Sequence, residues 1–312
     1  MRKQLHLDWK VSTSQTFILN LDSEFQPYKF QTNTYLLEFK TFTFKGGEPH
    51  FQITSDVLPV GDLVITQRYN KVDDLLNIIL ANDAARRMGF KNIKLFIPYF
   101  PAARQDRVCN SGEPLTLKVF SDMINSCGFD EVTILCPHSD VVPTLINNVT
   151  VLDELKYVEE ALCNLLSTST SNIINIVCPD AGAGKRVNKI VQHLSKEYSQ
   201  NIFNLIRCEK IRDVKDGSIK EFFVDGDDLG GHPTMIIDDI VCGGNTFKGL
   251  GDILKTRNCG KLVLFVTHAD YVHGLQSMVE YFDHIYVTNS KQNWDNYTYT
   301  FDNRLTCFDI KH

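Results

Sequence analysis

The segment from Met235 to Phe247 constrains the fold of this chain more than any other stretch. It opens with an apolar run, Met235–Ile237, which predicts the end of a buried parallel strand. Asp238 and Asp239 follow at the point where such a strand reaches the carboxyl edge of its sheet. Open α/β sheets bind their ligands at that edge, so the segment predicts an α/β fold with a ligand site beside the two aspartates.

The remainder of the segment predicts contacts to an anion. Gly243 and Gly244 allow backbone N–H groups to approach a phosphate, and the helix expected after Thr246 adds positive charge at its N-terminus. The two aspartates suit sugar hydroxyls or a hydrated metal ion instead. A ribose phosphate needs both kinds of contact. The alternative for this segment alone is an ordinary strand, turn and helix with solvent-facing aspartates.

Composition and charge narrow the classes of function. The 312 residues suffice for two domains, and the net charge of −6 argues against a nucleic-acid or acidic-membrane partner. We expect neither a membrane span nor a secretory signal, because no apolar run is long enough and the N-terminus lacks an apolar stretch. The nine cysteines are scattered, so we expect a reduced cytoplasmic chain, in the host cytoplasm if it is viral.

The same order of strand, polar cluster and helix recurs along the chain. Such clusters occur at Arg104, His138, Asp180, Lys210, Asp238 and His268. Any one of them is compatible with a solvated loop, but six in phase predict two doubly wound α/β domains whose strand ends face a shared cleft. We place these domains at residues 1–150 and 151–312 on the pattern of elements, because no linker composition marks the boundary.

Three of these clusters have chemistry suited to a nucleotide and its metal. Arg104 and Arg107 bracket Gln105, and guanidinium groups bind phosphate oxygens in pairs, which predicts contacts to a triphosphate and a base. Asp180 lies in a segment that is neither a Walker A loop nor a GxGxxG fingerprint, and it is a candidate metal-side carboxylate. His138 follows a predicted strand, which favours a metal or phosphate contact, although a lone histidine is more often structural.

Several segments, in order, resemble those of the ribose-phosphate pyrophosphokinase (PRPP synthetase) family. The resemblance extends from about residue 40 to about residue 290. Ile97–Arg107 resembles the family's ATP-binding segment, and Cys136–Val142 resembles its metal-binding histidine loop. Val177–Lys189 resembles its SPD-x-G-G segment. Lys210–Arg212 resembles its catalytic loop, and Asp238–Thr246 its ribose-phosphate loop. It implies two type I phosphoribosyltransferase-like domains with mostly parallel sheets.

The resemblance also implies an enzyme and a reaction. A diphosphotransferase of this family, with Mg²⁺ and with ATP as co-substrate, transfers the β,γ-diphosphate to the C1 hydroxyl of ribose 5-phosphate, giving PRPP and AMP. Lys210 and Arg212 would then be catalytic on a mobile loop, and His138 and Asp180 would hold the metal. ATP would contact Phe44, Glu48, Arg104, Gln105, Asp106, Arg107 and His138. The ribose phosphate would contact Asp238, Asp239, Cys242, Gly243, Gly244, Asn245 and Thr246.

Residues 44–48 are similar to a family hairpin that completes the ATP site of a neighbouring subunit. A homo-oligomer with small-molecule substrates and no nucleic-acid or membrane partner is therefore expected. The last residues are expected to pack back on the first domain.

Departures from the family pattern leave the acceptor open. The family's phosphate loop reads Asp-Thr-Gly-Gly-Thr, whereas this chain has Cys242-Gly243-Gly244-Asn245-Thr246. A loop changed at three of five positions could pass a 5′-diphosphate, so ADP-ribose is an alternative acceptor, giving ADP-ribose pyrophosphate for NAD synthesis. A non-catalytic regulatory relative is disfavoured because the charged motif residues are present. A plain phosphoribosyltransferase is disfavoured by the Arg104–Arg107 segment.

Overall fold

Two mostly parallel sheets form the framework of the computed structural model, which describes residues 15–28, 33–212, 219–270, 272–294, 297 and 301–311. The elements of the first half are, in order, β1 (Thr16–Asn20), β2 (Thr34–Leu36), β3 (Phe39–Thr43), β4 (Pro49–Ile53), β5 (Asp62–Thr66), α1 (Val72–Met88), β6 (Asn92–Phe96), α2 (Thr116–Ser126), β7 (Glu131–Leu135), α3 (Val142–Leu145) and β8 (Val149–Leu152). The first sheet has six strands in the order β2-β1-β5-β6-β7-β8, all parallel. Strands β3 and β4 form the predicted separate hairpin.

The second half repeats the architecture. Its elements are α4 (Leu155–Leu166), β9 (Ile173–Cys178), α5 (Gly184–Glu197), β10 (Ile202–Arg212), β11 (Ile219–Val224), β12 (Thr234–Val241), α6 (Asn245–Thr256), β13 (Leu262–Ala269), α7 (Val272–Gln276), β14 (His284–Thr288) and β15 (Leu305–Phe308). The seven strands lie in the order β11-β10-β9-β12-β13-β14-β15, and only the β10–β11 pair of these is antiparallel. The expected α/β fold with mostly parallel sheets is confirmed.

Local chemistry accounts for these elements. Parallel strands buried on both faces need continuous apolar runs, and Met235, Ile236 and Ile237 in β12 are fully buried. Helix α1 ends at Gly89, which adopts a left-handed φ of 114° that glycine accommodates readily. No helix in the described part of the chain is both long and apolar enough to cross a bilayer.

Several strands end later than the sequence predicts. The sequence predicts strand ends at Arg207, Ile237 and Val266. In the structure β10 continues to Arg212, β12 to Val241 and β13 to Ala269. Lys210, Asp238 and His268 therefore lie within strands and not after them. The reason is that backbone pairing continues past the apolar run, in β12 through the partners Ile240–His268 and Val241–Ala269.

Two strands are missing from the sequence-based prediction, β8 and β15. The sequence pattern predicts a helix from Leu152 to Leu166. Leu152 instead lies in β8, which pairs with β7, and the helix begins at Leu155. We therefore propose that the first domain extends to the end of β8, slightly beyond the expected boundary at residue 150.

The two halves share a hydrophobic core. One buried cluster contains Ile18, Phe96 and Leu135 from the first sheet together with Ile176 and Met235 from the second. Polar contacts also join the halves: Arg68 donates to the carbonyl of Asn289 at 3.3 Å, and Lys291 donates to that of Tyr69 at 2.6 Å. These contacts fix the cleft between the carboxyl ends of the two sheets.

Candidate active site

A cleft of about 1810 Å³ lies where the carboxyl ends of the two sheets meet. Small-molecule sites usually enclose about 300–1,000 Å³, so this cleft has room for two substrates. The predicted site residues that line it are Arg104, His138, Asp180, Lys210, Asp238, Asp239, Cys242, Gly243, Gly244, Asn245 and Thr246. Segments far apart in the chain thus converge on one site.

The acidic pair at the end of β12 is held by Arg186 from α5. Arg186 Nη2 donates to Asp238 Oδ1 at 2.7 Å and lies 3.7 Å from Asp239 Oδ1. Its Nη1 lies 3.4 Å from an oxygen of Glu154, whose side chain is only 5% exposed. One guanidinium therefore connects three carboxylates at the floor of the cleft.

The two aspartates differ in protonation. Burial, together with the neighbouring charge of Asp239, raises the pKa of Asp238 to about 7. Burial also disfavours the charged form of Asp239, but hydrogen bonding to His138 and the charge of Arg186 outweigh it and lower the pKa of Asp239. The hydrogen bond to Asp239 in turn raises the pKa of His138. The site therefore keeps Asp239 ionised at neutral pH.

Side-chain contacts that cross the cleft between the halves include the following two. His138 Nδ1 lies 2.7 Å from Asp239 Oδ2, and Arg104 Nη1 donates to Cys242 Sγ at 3.1 Å. His138 and Arg104 come from the first half, whereas Asp239 and Cys242 flank the end of β12 in the second. The predicted ATP segment and the predicted ribose-phosphate loop thus face each other at contact distance.

Lys210 in β10 forms an ion pair with Asp180. Burial opposes the charged form of Asp180, but the hydrogen bond from Lys210 and its charge lower the pKa of Asp180. Asp180 Oδ1 also accepts a hydrogen bond from the Ala183 N–H at 3.1 Å, which fixes the turn after β9. Arg212 ends β10, and its side chain lies outside the described residues.

The loop between β12 and α6 has one essential glycine and one open position. Gly244 has a φ of 78°, and a Cβ there would lie 2.8 Å from Met278 Sδ and 3.0 Å from the Gly274 carbonyl, so only glycine fits without a shift. A Cβ at Gly243 would meet nothing within 4 Å. The loop leads directly into α6 at Asn245, and Asn245 and Thr246 line the cleft, so the first-turn N–H groups that lack a partner within the helix lie beside it.

The donor set of the cleft suits Mg²⁺ bound partly by substrate. Among the residues that the structure describes, no three His, Cys, Asp or Glu side chains form a ready-made metal cage. Mg²⁺ usually keeps several waters and takes one or two carboxylates together with substrate phosphates. Asp180 and His138 both face the cleft and fit such a site, in which the metal would replace their present partners Lys210 and Asp239.

Five predicted ATP contacts lie away from the cleft lining. Phe44 and Glu48 are exposed at the tip of the β3–β4 hairpin. Gln105, Asp106 and Arg107 follow Arg104 without lining the cleft. Asp106 instead accepts a hydrogen bond from Ser139 Oγ at 2.6 Å and so supports the loop that carries His138.

His268, the sixth polar cluster, is structural. It is 1% exposed and contacts Ser290 Oγ at 2.8 Å and the Cys136 carbonyl at 3.1 Å, across the junction of the two halves. Burial lowers its pKa to about 4. The sequence prediction grouped it with the cleft residues because the end of β13 was placed too early.

Glu154, Arg186 and Phe222 are among the cleft residues that were not predicted. The sequence pattern gives Arg186 no role beyond standing where a Walker A loop would have Ser or Thr. The feature of the sequence that could have indicated its role is its charge, within the segment that also holds Asp180. Glu154 and Phe222 had no signal in the local pattern, because their positions depend on tertiary contacts.

Comparisons with known proteins agree with this geometry. A family model described as the N-terminal domain of ribose phosphate pyrophosphokinase matches residues 26–128. A ribose-phosphate pyrophosphokinase of Pyrococcus abyssi is 27% identical over 73% of this chain and 76% of its own length. The ribose-phosphate pyrophosphokinase of Thermococcus kodakarensis is 26% identical over 82% of this chain and 86% of its own length.

A solved structure shows the same fold. The phosphoribosylpyrophosphate synthetase from Mycobacterium smegmatis superimposes with a TM-score of 0.76, covering 95% of each chain at 18% sequence identity. The correspondence therefore includes both halves and not only the segment that the family model matches.

Proposed function

We propose that this chain, a divergent member of the ribose-phosphate pyrophosphokinase family, transfers the β,γ-diphosphate of ATP to the C1 hydroxyl of ribose 5-phosphate. The observation that supports this most is the convergence of phosphate-binding cations, carboxylates and a glycine loop in one cleft. A phosphate cradle beside two aspartates fits a ribose phosphate, and the facing Arg104 fits a polyphosphate. The volume of about 1810 Å³ accommodates both substrates.

The proposed roles follow from these positions. Asp238 and Asp239 accept hydrogen bonds from ribose hydroxyls, and the 242–246 loop binds the 5′-phosphate. The C1 hydroxyl oxygen then attacks the β-phosphorus of ATP. The bond from that phosphorus to the α-phosphate oxygen breaks, AMP leaves, and the hydroxyl proton passes to solvent. Such a transfer is catalysed mainly by positioning and charge neutralisation, which Lys210 and Arg104 supply.

Asp180 and His138 are the side chains that would hold Mg²⁺, together with phosphate oxygens and water. When bound, the ion neutralises polyphosphate charge and orients it. Lys210, released from Asp180, is then available to the transferred group.

The exposed hairpin suggests how subunits combine. Phe42 and Phe44 near its tip are 49% and 50% exposed and pack edge to face, with ring centroids 4.8 Å apart, so together they present an apolar patch. We propose that this tip contacts the ATP site of a second copy, where Phe44 and Glu48 would reach the adenine. We also place the enzyme in the cytoplasm.

A product assay tests the function. The chain is incubated with Mg²⁺, ATP and ribose 5-phosphate, and AMP and the product are identified by mass. We expect equal amounts of AMP and a ribose carrying the added diphosphate. Formation of ADP, or hydrolysis of ATP without an acceptor product, would contradict the assignment. Lys210→Ala is the matched inactive control.

A second acceptor, ADP-ribose, is favoured by one observation. Gly243 faces open space, so the loop that would close on a terminal monophosphate has room for a longer 5′-substituent. ADP-ribose offers the same C1 hydroxyl. Parallel kinetics with both acceptors decide between them: the acceptor with the much higher kcat/KM is the substrate, and ribose 5-phosphate is our first expectation.

A further inference from the structure

Strands β10 and β11 form a ribbon that projects beyond the parallel part of the second sheet. β10 pairs with β9 only as far as Arg207, and from Cys208 onward it pairs with β11. Lys210 lies in this projecting part, directly opposite Phe222. Opposed residues in an antiparallel pair share a face of the ribbon, and both of these side chains line the cleft.

Phe222 rests in a notch on helix α6. A Cβ at Gly249 would lie 2.5 Å from Phe222 Cε2 and 3.2 Å from its Cζ, which is closer than carbon atoms pack. The missing side chain at position 249 is therefore what lets the ring lie against the helix. Phe222 also packs against the buried cluster that contains Phe247 and Leu250 of the same helix.

A second contact ties the ribbon to α6. Arg257, which follows the last turn of the helix, donates from Nη1 to the carbonyls of Val224 at 2.6 Å and Gly226 at 2.5 Å. Gly249 and Arg257 are eight residues apart, or about 12 Å along a helix. Strand β11 is thus held at two separate points on one helix.

The same helix begins within the 242–246 loop, which is proposed to bind the acceptor and is called the acceptor loop here. Asn245 and Thr246 form its first turn and line the cleft, and Gly249 lies one turn later on the same side. The distance between the acceptor loop and Lys210 is therefore set through a short, rigid stretch of α6.

We propose that Phe222 and Gly249 form a seat that positions Lys210 relative to the acceptor loop. This inference rests on the proposed function of Lys210. Phe222 and Gly249 are positioning residues, because they act through Lys210. The seat requires both the ring and the missing side chain.

Gly249→Ala tests the seat in the full chain. Alanine is the better helix former, so the fold of α6 should not suffer from the change itself. We expect kcat to fall by about 10- to 100-fold while both KM values change little, because a small displacement of a catalytic group is costly. We also expect faster hydrogen exchange of the β11 amides. Phe222→Leu added to Gly249→Ala should restore much of kcat.

Two further variants keep the test decisive. Asp252→Ala, at an exposed position of the same helix, is the matched control and should leave kcat and exchange unchanged. If Gly249→Ala does not fold, Phe222→Ala tests the seat instead. It removes the ring, and we expect it to lower kcat. Normal kcat in Gly249→Ala, with Lys210→Ala inactive, would overturn the seat and leave the function intact. If the wild type makes no diphosphorylated product, the proposed function fails, and the exchange measurement still tests the seat.

Discussion

Arg186 shows how single side chains shape this site. Two carboxylates side by side in a buried position repel each other, and one tends to take up a proton. Arg186 lies 2.7 Å from Asp238 and 3.7 Å from Asp239, and Glu154 holds its other nitrogen. The charge of Arg186 acts to lower the pKa of both aspartates against the effect of burial, and we propose that the pair accepts hydrogen bonds from two ribose hydroxyls.

Replacing Arg186 should weaken the acceptor site selectively. In Arg186→Gln we expect the KM for ribose 5-phosphate to rise by about 10-fold or more, the scale of a lost charged hydrogen bond, with the KM for ATP little changed. The preference for ribose 5-phosphate over 2-deoxyribose 5-phosphate should fall as well. Steady-state kinetics with both sugars measure this, and Arg186→Lys is the conservative control. An equal rise in both KM values would contradict the assigned role.

Lys210 should affect turnover far more than ATP affinity. Its ion pair with Asp180 holds it at the cleft, and under the proposed function its charge would act where charge develops during transfer. We expect Lys210→Ala to lower kcat by about 100-fold or more. Rapid-quench measurement of AMP formation at saturating ATP tests this. Near-normal turnover would remove Lys210 from the mechanism.

At the scale of elements, strand positions follow from sequence wherever apolar runs are bounded by polar residues. The apolar runs at residues 62–66 and 173–178 predict two strands, and β5 and β9 have these bounds. Strand ends such as that of β12 were missed because Asp238 and Asp239 interrupt the apolar pattern while backbone pairing to β13 continues. The sequence predicted those site residues that lie at or just after the end of an apolar run. The contacts of Glu154 and Phe222, which depend on how helices pack, were not.

His268 in β13 should make stability depend on pH. Its pKa falls from 6.5 to about 4 on burial, so the unfolded chain binds the proton more tightly than the folded chain does. The contribution is fully present above pH 6.5 and is lost as the pH falls through about 4, a total of about 3 kcal/mol. Urea unfolding at pH 7.5 and pH 5 should show a smaller pH effect in His268→Gln than in the wild type. Equal pH effects in the two proteins would argue against this.

For the molecule as a whole, the shared core joins the two halves into one cooperative unit. Side chains from both sheets belong to the same buried cluster. Lys291, 6% exposed, adds a contact between the halves by donating to the Tyr69 carbonyl and pairing with Asp270 at 3.0 Å. Loss of one half should therefore expose apolar surface on the other.

Thermal unfolding should consequently proceed in one transition. We expect a single calorimetric peak whose van't Hoff and calorimetric enthalpies agree. Lys291→Met should lower the free energy of unfolding by about 1–3 kcal/mol, because it removes a charged donor from a buried carbonyl, without splitting the peak. Two resolved peaks in the wild type would show that the halves unfold independently.

The internal ion pairs of the cleft have a consequence for how substrates bind. Lys210 is already matched by Asp180, and His138 by Asp239, before any nucleotide arrives. A polyanion that contacts Lys210 and His138 therefore exchanges partners with Asp180 and Asp239 at these two positions, whereas Arg104 contacts the Cys242 thiol. Because salt screens the pairs that are lost as well as those that are gained, nucleotide affinity should vary less with ionic strength than in an open cationic groove.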